Sequence, residues 1–183
     1  MLPPKPKLNL IVAVSENMGI GKNGELPWRL KAELKHFATI TKSTQSPEKK
    51  NAVLMGRKTW ESIPTKFRPL KDRVNIVLTS NPNLISDESV CVCPNFNTAL
   101  DLLDNMSDEI ETCWVIGGSS IYAEALKLAQ LDSLYITRIH KDYDCDTFFP
   151  VISSDWKLST DPRLSPEIQE EEGVKYEYQV YTR

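Results

Sequence analysis

Histidine and closely grouped cysteine are scarce in this sequence. Only two of its 183 residues are histidine, and its four cysteines are scattered at positions 91, 93, 113 and 145. Cys91-x-Cys93 is too tightly spaced for the usual zinc knuckle, so no metal site is predicted. Cys113 lies in an apolar run, which indicates a buried free thiol. We therefore expect a reduced, cytoplasmic protein without a disulfide framework.

The chain also lacks a long hydrophobic run and an excess of basic residues. The apolar stretch at 8–14 is too short for a secretory core or a membrane span, so neither is expected. The formal net charge is -3, which argues against functional nucleic-acid binding. It does not exclude an anionic small substrate, because local arginines can bind carboxylates. A chain of 183 residues with 40% hydrophobic and 26% charged residues predicts one globular domain, residues 1–183.

Strand-like and helix-like segments alternate along the sequence. Apolar runs predict strands at 8–14, 51–55, 73–79, 112–116 and 134–139. Helical periodicity and capping residues predict helices at 28–41, 97–106 and 119–128. Residues 174–180 alternate between apolar and polar, which is typical of an antiparallel strand with one solvated face. This order predicts an α/β fold with a mostly parallel sheet.

A glycine pattern follows the first predicted strand. Gly19-x-Gly21-x-x-Gly24 matches the dinucleotide fingerprint G-x-G-x-x-G. In that fingerprint the helix begins inside the motif, and an acidic residue ends the next strand about 20 residues later. Here the helix is predicted near Pro27, and the polar loop around Thr44 has no acid. We therefore interpret these glycines as part of a binding loop or lid.

Glu33 stands out because it falls on an apolar helix face. The predicted inward stripe of that helix consists of Leu30, Leu34, Phe37 and Thr41. Glu61 has no comparable apolar frame. A carboxylate on such a face is costly unless it is paired. One interpretation is structural: Glu33 lies at the exposed edge of the stripe or forms an ion pair. The other is functional: Glu33 is a carboxylate buried in a cleft, where it binds donor groups or transfers protons and where burial raises its pKa.

Two turns and one arginine are candidate sites for anions. Gly117-Gly118-Ser119-Ser120 joins a predicted strand to a helix, where free N–H groups could bind phosphate; close helix–strand packing is the alternative. Gly56-Arg57-Lys58-Thr59 places two cations at a second strand–helix turn. Arg73 directly precedes a strand, where it is either a cation at a cleft rim or a surface salt bridge.

Ten blocks of sequence, in order from about residue 8 to 181, together resemble dihydrofolate reductase, above all the animal form. The blocks are Ile11-Val12-Ala13-Val14, Met18-Gly19-Ile20-Gly21, Leu26-Pro27-Trp28, Glu33 with Phe37, MGRKTW at 55–60, Ser62-Ile63-Pro64, Arg68-Pro69-Leu70 with Arg73, VIGGSSIY at 115–122, Thr137-Arg138-Ile139, and DTFFP at 146–150. A related pyrimidine reductase of flavin synthesis lacks the Leu-Pro-Trp, helical Glu and distal Arg combination. A non-enzymatic nucleotide-binding module would give Glu33 no purpose.

The resemblance implies both a fold and a reaction. The fold would be an α/β dihydrofolate-reductase fold with a mostly parallel eight-stranded sheet, an antiparallel C-terminal strand and about four helices. The reaction would be NADPH-dependent reduction of 7,8-dihydrofolate, and also of folate as a candidate substrate, to tetrahydrofolate for one-carbon metabolism. A monomer without an obligatory protein partner, sensitive to antifolate inhibitors, is expected.

The resemblance also assigns substrate roles. Glu33 would bind the pterin amino group and ring N–H and support protonation of N5 through water near Leu26 and Trp28, while Thr137 orients Glu33. Arg73 would pair with the α-carboxylate of the glutamate tail, a task suited to a bidentate guanidinium. Leu34, Phe37 and Ile63 would sandwich the pterin and the aminobenzoyl ring. The remaining expected substrate contacts are Ile11, Val12, Ala13, Phe67, Leu70, Ile116, Tyr122 and Thr137.

Cofactor residues follow from the same resemblance. The expected NADPH contacts are Ala13, Gly19, Ile20, Gly21, Lys22, Asn23, Gly24, Glu25, Gly56, Arg57, Lys58, Thr59, Leu78, Thr79, Ser80, Ile116, Gly117, Gly118, Ser119, Ser120, Ile121 and Tyr122. Ser80 stands where vertebrate forms commonly carry a basic residue that helps to hold the 2′-phosphate, so Arg57, Thr79 and Ser80 must suffice. Loss of that charge-assisted bond would weaken the preference for NADPH over NADH by about 1–2 kcal/mol.

Overall fold

The computed structural model describes residues 2–183. Its strands are β1 (Lys7–Val14), β2 (Gly19–Gly21), β3 (Lys50–Gly56), β4 (Val74–Leu78), β5 (Cys91–Cys93), β6 (Ile110–Gly117), β7 (Leu131–Ile139), β8 (Thr147–Phe148), β9 (Lys157–Ser159), β10 (Gln169–Glu171) and β11 (Val174–Thr182). Its helices are α1 (Lys31–Lys42), α2 (Arg57–Ser62), α3 (Phe96–Asn105) and α4 (Ser119–Leu126), with a 3₁₀ turn at Thr65–Phe67. No helix within residues 2–183 is long and apolar enough to cross a bilayer.

A mixed sheet organises the molecule. Across residues 2–183 it has nine strands: eight in the order β10-β11-β7-β1-β6-β3-β4-β5, with β9 also pairing with β11. Every pair from β7 to β5 is parallel, whereas β11 runs antiparallel to β7, β9 and β10. The predicted α/β class is confirmed. The sheet has one strand more than the eight that the resemblance implies. The strands that the sequence pattern did not predict, β5, β9 and β10, have three residues each and are too short to show a period.

Strand β1 lies at the centre of the sheet and is buried on both faces. Leu8, Leu10, Val12 and Val14 belong to one apolar cluster, and Ile11 belongs to the cluster on the other side. A parallel strand that is covered on both faces has a continuous apolar sequence, and the apolar run at 8–14 predicted such a strand. Cys113 is fully buried in β6, and Trp60, Trp114 and Trp156 are buried as packing residues.

The first helix begins later than predicted. Residues 27–30 are not helical, and α1 starts at Lys31 after an extended Leu30. Trp28 and Leu30 are both buried, packed with Ile139 and Tyr176. Burial of two alternate side chains requires an extended chain here, so tertiary packing overrides the preference of Pro27 for a first helical turn.

Two further local predictions are corrected. The cap of α3 is Asn95, not Asn97: its side chain accepts a hydrogen bond from the Thr98 N–H at 2.9 Å. The glycine segment that was interpreted as a binding loop or lid contains the short strand β2, which pairs antiparallel with β8. A strand of three residues is too short to show a period of two. Its pairing also depends on a strand more than a hundred residues later, which no local pattern indicates.

Candidate active site

Glu33 is a buried carboxylate in the first turn of α1. Only 7% of the residue is exposed. Burial raises the pKa of Glu33 from its ordinary 4.5 to about 7, opposed by a smaller lowering from a hydrogen bond with Thr137. Its Oε2 atom has no hydrogen-bond partner within residues 2–183. A buried acceptor without a partner, on a carboxyl that titrates near neutrality, is a candidate for a functional acid.

The sheet brings Glu33 to the end of β1. Thr137 on β7 lies opposite Ala13 on β1 and opposite Tyr178 on β11. Tyr122 donates its hydroxyl proton to the backbone carbonyl of Ile11 at 2.9 Å. Burial raises the pKa of Tyr122, and the negative charge of Glu33 raises it further. Elements far apart in the sequence therefore converge where parallel strands place ligands.

An apolar wall adjoins this carboxylate. Phe37, Ile63, Leu70 and Ile116 are partly buried and pack on the same cluster as Ile11. The predicted inward stripe of α1 is wrong at Leu34, which is 56% exposed. Leu26 and Phe67 are also large exposed apolar side chains. Apolar groups that no neighbour in the chain covers are candidates for contact with an apolar ligand.

Arg73 is held against α1 instead of pointing freely into solvent. Its Nη1 donates to Thr41 Oγ1 at 2.9 Å, and its Nε donates to the Lys71 carbonyl at 2.9 Å. Partial burial lowers the pKa of Arg73, against a raising by Asp72. The guanidinium is thus oriented while retaining further donors, because arginine carries five N–H groups. The alternative of a surface salt bridge is not what the structure has, since both contacts are to neutral oxygens.

The glycines at two strand ends form a tight cradle. A Cβ added to Gly117 would lie 3.4 Å from both Thr59 Oγ1 and Tyr122 Oη, and Gly117 has φ +128°. A Cβ on Gly56 would lie 3.0 Å from Ile121 Cγ1. Gly118 precedes α4 without a side-chain cap, so the first N–H groups of that helix are not capped. The positive φ of Gly117 favours glycine, and a side chain on Gly56 would crowd Ile121. The uncapped N–H groups of α4 can receive an anion.

A second set of candidate anion-binding residues lies at the carboxyl ends of β3 and β4. Gly56 at the end of β3 is opposite Leu78 at the end of β4, so Arg57 and Thr79 follow on neighbouring strands. Arg57, Lys58 and Ser80 are exposed there. The Arg57 guanidinium already forms an ion pair with Glu61 on α2. The residues predicted for this region from the sequence are thus neighbours in the structure, and Glu61 lies among them.

The predicted loop residues Gly19 to Glu25 contact a different segment. Lys22 and Glu25 close a tight turn, Lys22 Nζ lies 3.4 Å from Asp144, and the Asn23 N–H donates to Asp146 at 3.0 Å. A Cβ on Gly19 would lie 2.2 Å from Cys145 Sγ. The structure therefore holds this loop against residues 144–148.

Three site-supporting residues were missed from the sequence. Thr41 holds Arg73, Glu61 pairs with Arg57, and Glu171 accepts hydrogen bonds from the Lys31 and Ala32 N–H groups at 2.7 and 2.9 Å. Only the i, i+4 spacing of Arg57 and Glu61 was a readable signal. The contacts of Thr41 and Glu171 join distant segments that no local pattern connects.

A groove of about 380 Å³ also runs along α1, beside Lys35, His36 and Arg163. It contains none of the predicted site residues. Burial, with a smaller contribution from Arg163, lowers the pKa of His36 to about 4, so this histidine is neutral near pH 7. His36 is therefore not charged at neutral pH, and Glu33 is the stronger candidate for acid–base chemistry.

This fold and site define a class: an α/β enzyme in which a buried acid lies at the end of a central strand, near a glycine-lined turn. A family model described as dihydrofolate reductase matches residues 7–183. Dihydrofolate reductase of Drosophila melanogaster is 47% identical over 176 residues, covering 95% of this chain and 96% of the relative. That of Heliothis virescens is 47% identical over 181 residues, covering 97% of each.

A solved structure gives the same result. The dihydrofolate reductase of Schistosoma mansoni superposes with a TM-score of 0.85 at 42% identity, covering 98% of this chain and 99% of the other. The chain belongs to the dihydrofolate reductase family, and it is an oxidoreductase. Membership in this family implies a nicotinamide cofactor and a small-molecule substrate.

Proposed function

We propose that the protein reduces 7,8-dihydrofolate to 5,6,7,8-tetrahydrofolate with NADPH and one proton, releasing NADP⁺. The protein acts as a cytoplasmic monomer of one domain and supplies one-carbon metabolism and thymidylate synthesis. The observation that carries the proposal is Glu33: a buried carboxyl with a pKa near 7 and one unpartnered oxygen, in a chain of this family.

The residues of the cradle fit a phosphorylated dinucleotide. The Gly117-Gly118 turn leads directly into α4, and the uncapped start of that helix offers N–H donors to the pyrophosphate. Arg57, Thr79 and Ser80 hold the 2′-phosphate, with Lys58 and Thr59 on the remaining phosphate oxygens. When bound, NADPH supplies a hydride from its nicotinamide C4 to pterin C6.

Glu33 binds and protonates the pterin. Its free Oε2 accepts hydrogen bonds from the amino group and ring N–H of the pterin, which satisfies the orphaned acceptor. Thr137 keeps the carboxyl oriented toward the end of β1. A carboxyl with a pKa near 7 can hold a proton at the operating pH, so Glu33 supports protonation of N5 through water near Leu26 and Trp28.

The apolar wall and Arg73 bind the rest of the substrate. Phe37 and Ile63 flank the pterin and aminobenzoyl rings, and the exposed Leu34 becomes covered when the ring stacks on it. The oriented guanidinium of Arg73 pairs with the α-carboxylate of the glutamate tail. This division places the rings on apolar side chains, the N–H donors of the pterin on Glu33, and the carboxylate of the tail on Arg73.

A two-arm assay tests this function. Purified protein is mixed with NADPH, and absorbance of the reduced nicotinamide is followed with and without dihydrofolate. We expect loss of absorbance only in the presence of dihydrofolate, with tetrahydrofolate identified by chromatography. The absence of any dihydrofolate-dependent oxidation would overturn the proposal, and NADPH oxidation driven instead by a pyrimidine intermediate of flavin synthesis would favour the related reductase.

A further inference from the structure

The side chain of Arg57 has a partner within the protein. Arg57 is the first residue of α2, and Glu61 follows one turn later, so the two side chains share one helix face. The guanidinium Nη1 forms an ion pair with Glu61 Oε1. The exposed fractions of the two side chains are 47% and 46%, so both remain accessible to a ligand. An anionic ligand that binds to Arg57 is therefore placed next to the Glu61 carboxylate.

The Arg57–Glu61 ion pair lies beside the residues that are proposed to hold the 2′-phosphate of the cofactor. Arg57 follows β3 and Thr79 follows β4, and the preceding residues Gly56 and Leu78 are direct neighbours in the sheet. Ser80 adds a hydroxyl but no positive charge at this edge. Under the proposed function, the 2′-phosphate of the cofactor is held by Arg57, Thr79 and Ser80, so Arg57 supplies the cation among these three.

We infer that Glu61 is a specificity-determining residue, which competes with the 2′-phosphate for Arg57 and lowers the preference for NADPH over NADH. The inference rests on the proposed function. A 2′-phosphate is close to a dianion at neutral pH, and it must either displace Glu61 or bind beside it. A cofactor with a 2′-hydroxyl does not incur this repulsion, because it has no charge at that position.

Glu61 could in principle help instead, by holding Arg57 ready for the phosphate. The size of the two effects decides between them. An ion pair between half-exposed side chains restrains its partners only weakly, so pre-orientation contributes little. Repulsion between the carboxylate and a dianion a few ångströms away persists in the complex and is the larger effect. Removal of the Glu61 charge is therefore expected to tighten binding of NADPH.

The test is a comparison of dissociation constants, without turnover. Binding of NADPH and NADH is measured by nicotinamide fluorescence for the unaltered protein and for Glu61→Gln. We expect Glu61→Gln to bind NADPH about three- to tenfold more tightly and NADH within twofold of the original. The gain should shrink at high salt, because the interaction is between exposed charges. Adenosine 2′,5′-bisphosphate and AMP provide the same comparison without nicotinamide.

The matched control is Glu170→Gln, which makes the same change of net charge on β10 at the opposite edge of the sheet. It should leave both dissociation constants within twofold. An equal gain in Glu170→Gln would show an effect of net charge alone and overturn the inference. Unchanged or weaker NADPH binding in Glu61→Gln would overturn it as well.

Arg57→Gln separates this inference from the proposed function. If Arg57→Gln does not weaken NADPH relative to NADH, the proposed cofactor site itself is wrong. If it weakens NADPH selectively while Glu61→Gln has no benefit, only the role of Glu61 is wrong. In the Arg57→Gln background, Glu61→Gln should lose most of its effect; an undiminished gain would show that Glu61 does not act through Arg57.

Discussion

Glu33 is expected to reduce the stability of the ligand-free protein. A carboxyl whose pKa rises from 4.5 to about 7 on folding binds a proton more tightly in the folded state. Between those pH values the folded protein retains a proton that the unfolded chain has lost. Stability therefore falls as pH rises from 4.5 to 7, and the full cost persists above pH 7.

The substitution Glu33→Gln removes this ionisation. At pH 8 the variant should be about 2–3 kcal/mol more stable than the unaltered protein, and the difference should nearly disappear at pH 4.5. Urea unfolding of both proteins at several pH values, without ligand, measures the difference. A gap that is independent of pH would mean that Glu33 does not titrate in this window. The same variant should lose turnover at neutral pH. A buried acid of this kind lowers the stability of the folded protein while it supports catalysis.

Arg73 is the second residue whose surroundings predict a measurable effect. Arg73→Leu removes a guanidinium that Thr41 orients, and the loss of a charge-assisted pair should raise the KM for dihydrofolate roughly 10- to 100-fold. The kcat should change much less, because the tail is remote from the reacting atoms. Lys71→Leu, which removes an exposed cation two residues away, is the control and should leave KM nearly unchanged. Equal effects of the two substitutions would indicate general electrostatic attraction instead of a specific contact.

At the scale of elements, α1 is positioned by the C-terminal hairpin. Leu30 provides no side-chain cap, and Glu171 supplies it from 140 residues away through the Lys31 and Ala32 N–H groups. These hydrogen bonds lower the pKa of Glu171, so its contribution is present at neutral pH and is lost as pH falls below its ordinary range of about 4.5. The helix that carries Glu33 thus depends on the strand pair β10–β11.

Glu171→Gln should therefore affect both stability and catalysis. We expect the melting temperature at pH 7 to fall by about 2–4 °C, with a smaller difference from the unaltered protein at pH 3.5. Because α1 carries the pterin acid, kcat should fall a few-fold while NADPH binding is retained. Differential scanning fluorimetry and steady-state kinetics measure these effects, and Glu170→Gln is the control. An unaltered melting temperature would show that the cap is not formed in solution.

The sequence predicted the elements that have a local cause. The apolar run of β1, the Gly117-Gly118 turn and the helical position of Glu33 all have short-range patterns, and the structure agrees with them. The predictions were wrong where contacts with a distant part of the chain determine the local structure. Trp28 and Leu30 extend the chain before α1 because they pack on Ile139 and Tyr176, and β2 forms because β8 lies beside it. Leu34 was assigned to the interior because periodicity cannot distinguish a core from an open cleft.

At the scale of the whole molecule, one sheet connects every part of the site. The strand order runs without interruption from β10, beside the cap of α1, to β5, beside the strand that precedes Thr79 and Ser80. Apolar clusters cover both faces, and strand β1 contributes to each of them. Substrate and cofactor residues therefore share a single core, so their relative positions depend on the packing of the entire chain.

This continuity predicts a single cooperative unfolding transition. With about 0.7 kcal/mol per residue near 60 °C, a chain of 183 residues should unfold with a calorimetric enthalpy of about 130 kcal/mol. The van't Hoff enthalpy should equal it, and tryptophan fluorescence should change at the same temperature as far-ultraviolet circular dichroism. The tryptophans at 28, 60, 114 and 156 are distributed over three apolar clusters, with Trp60 and Trp114 in the same one, so the fluorescence samples the whole core. Two transitions, or a van't Hoff enthalpy well below the calorimetric one, would show that the two ends of the sheet unfold separately and would contradict the single-domain assignment.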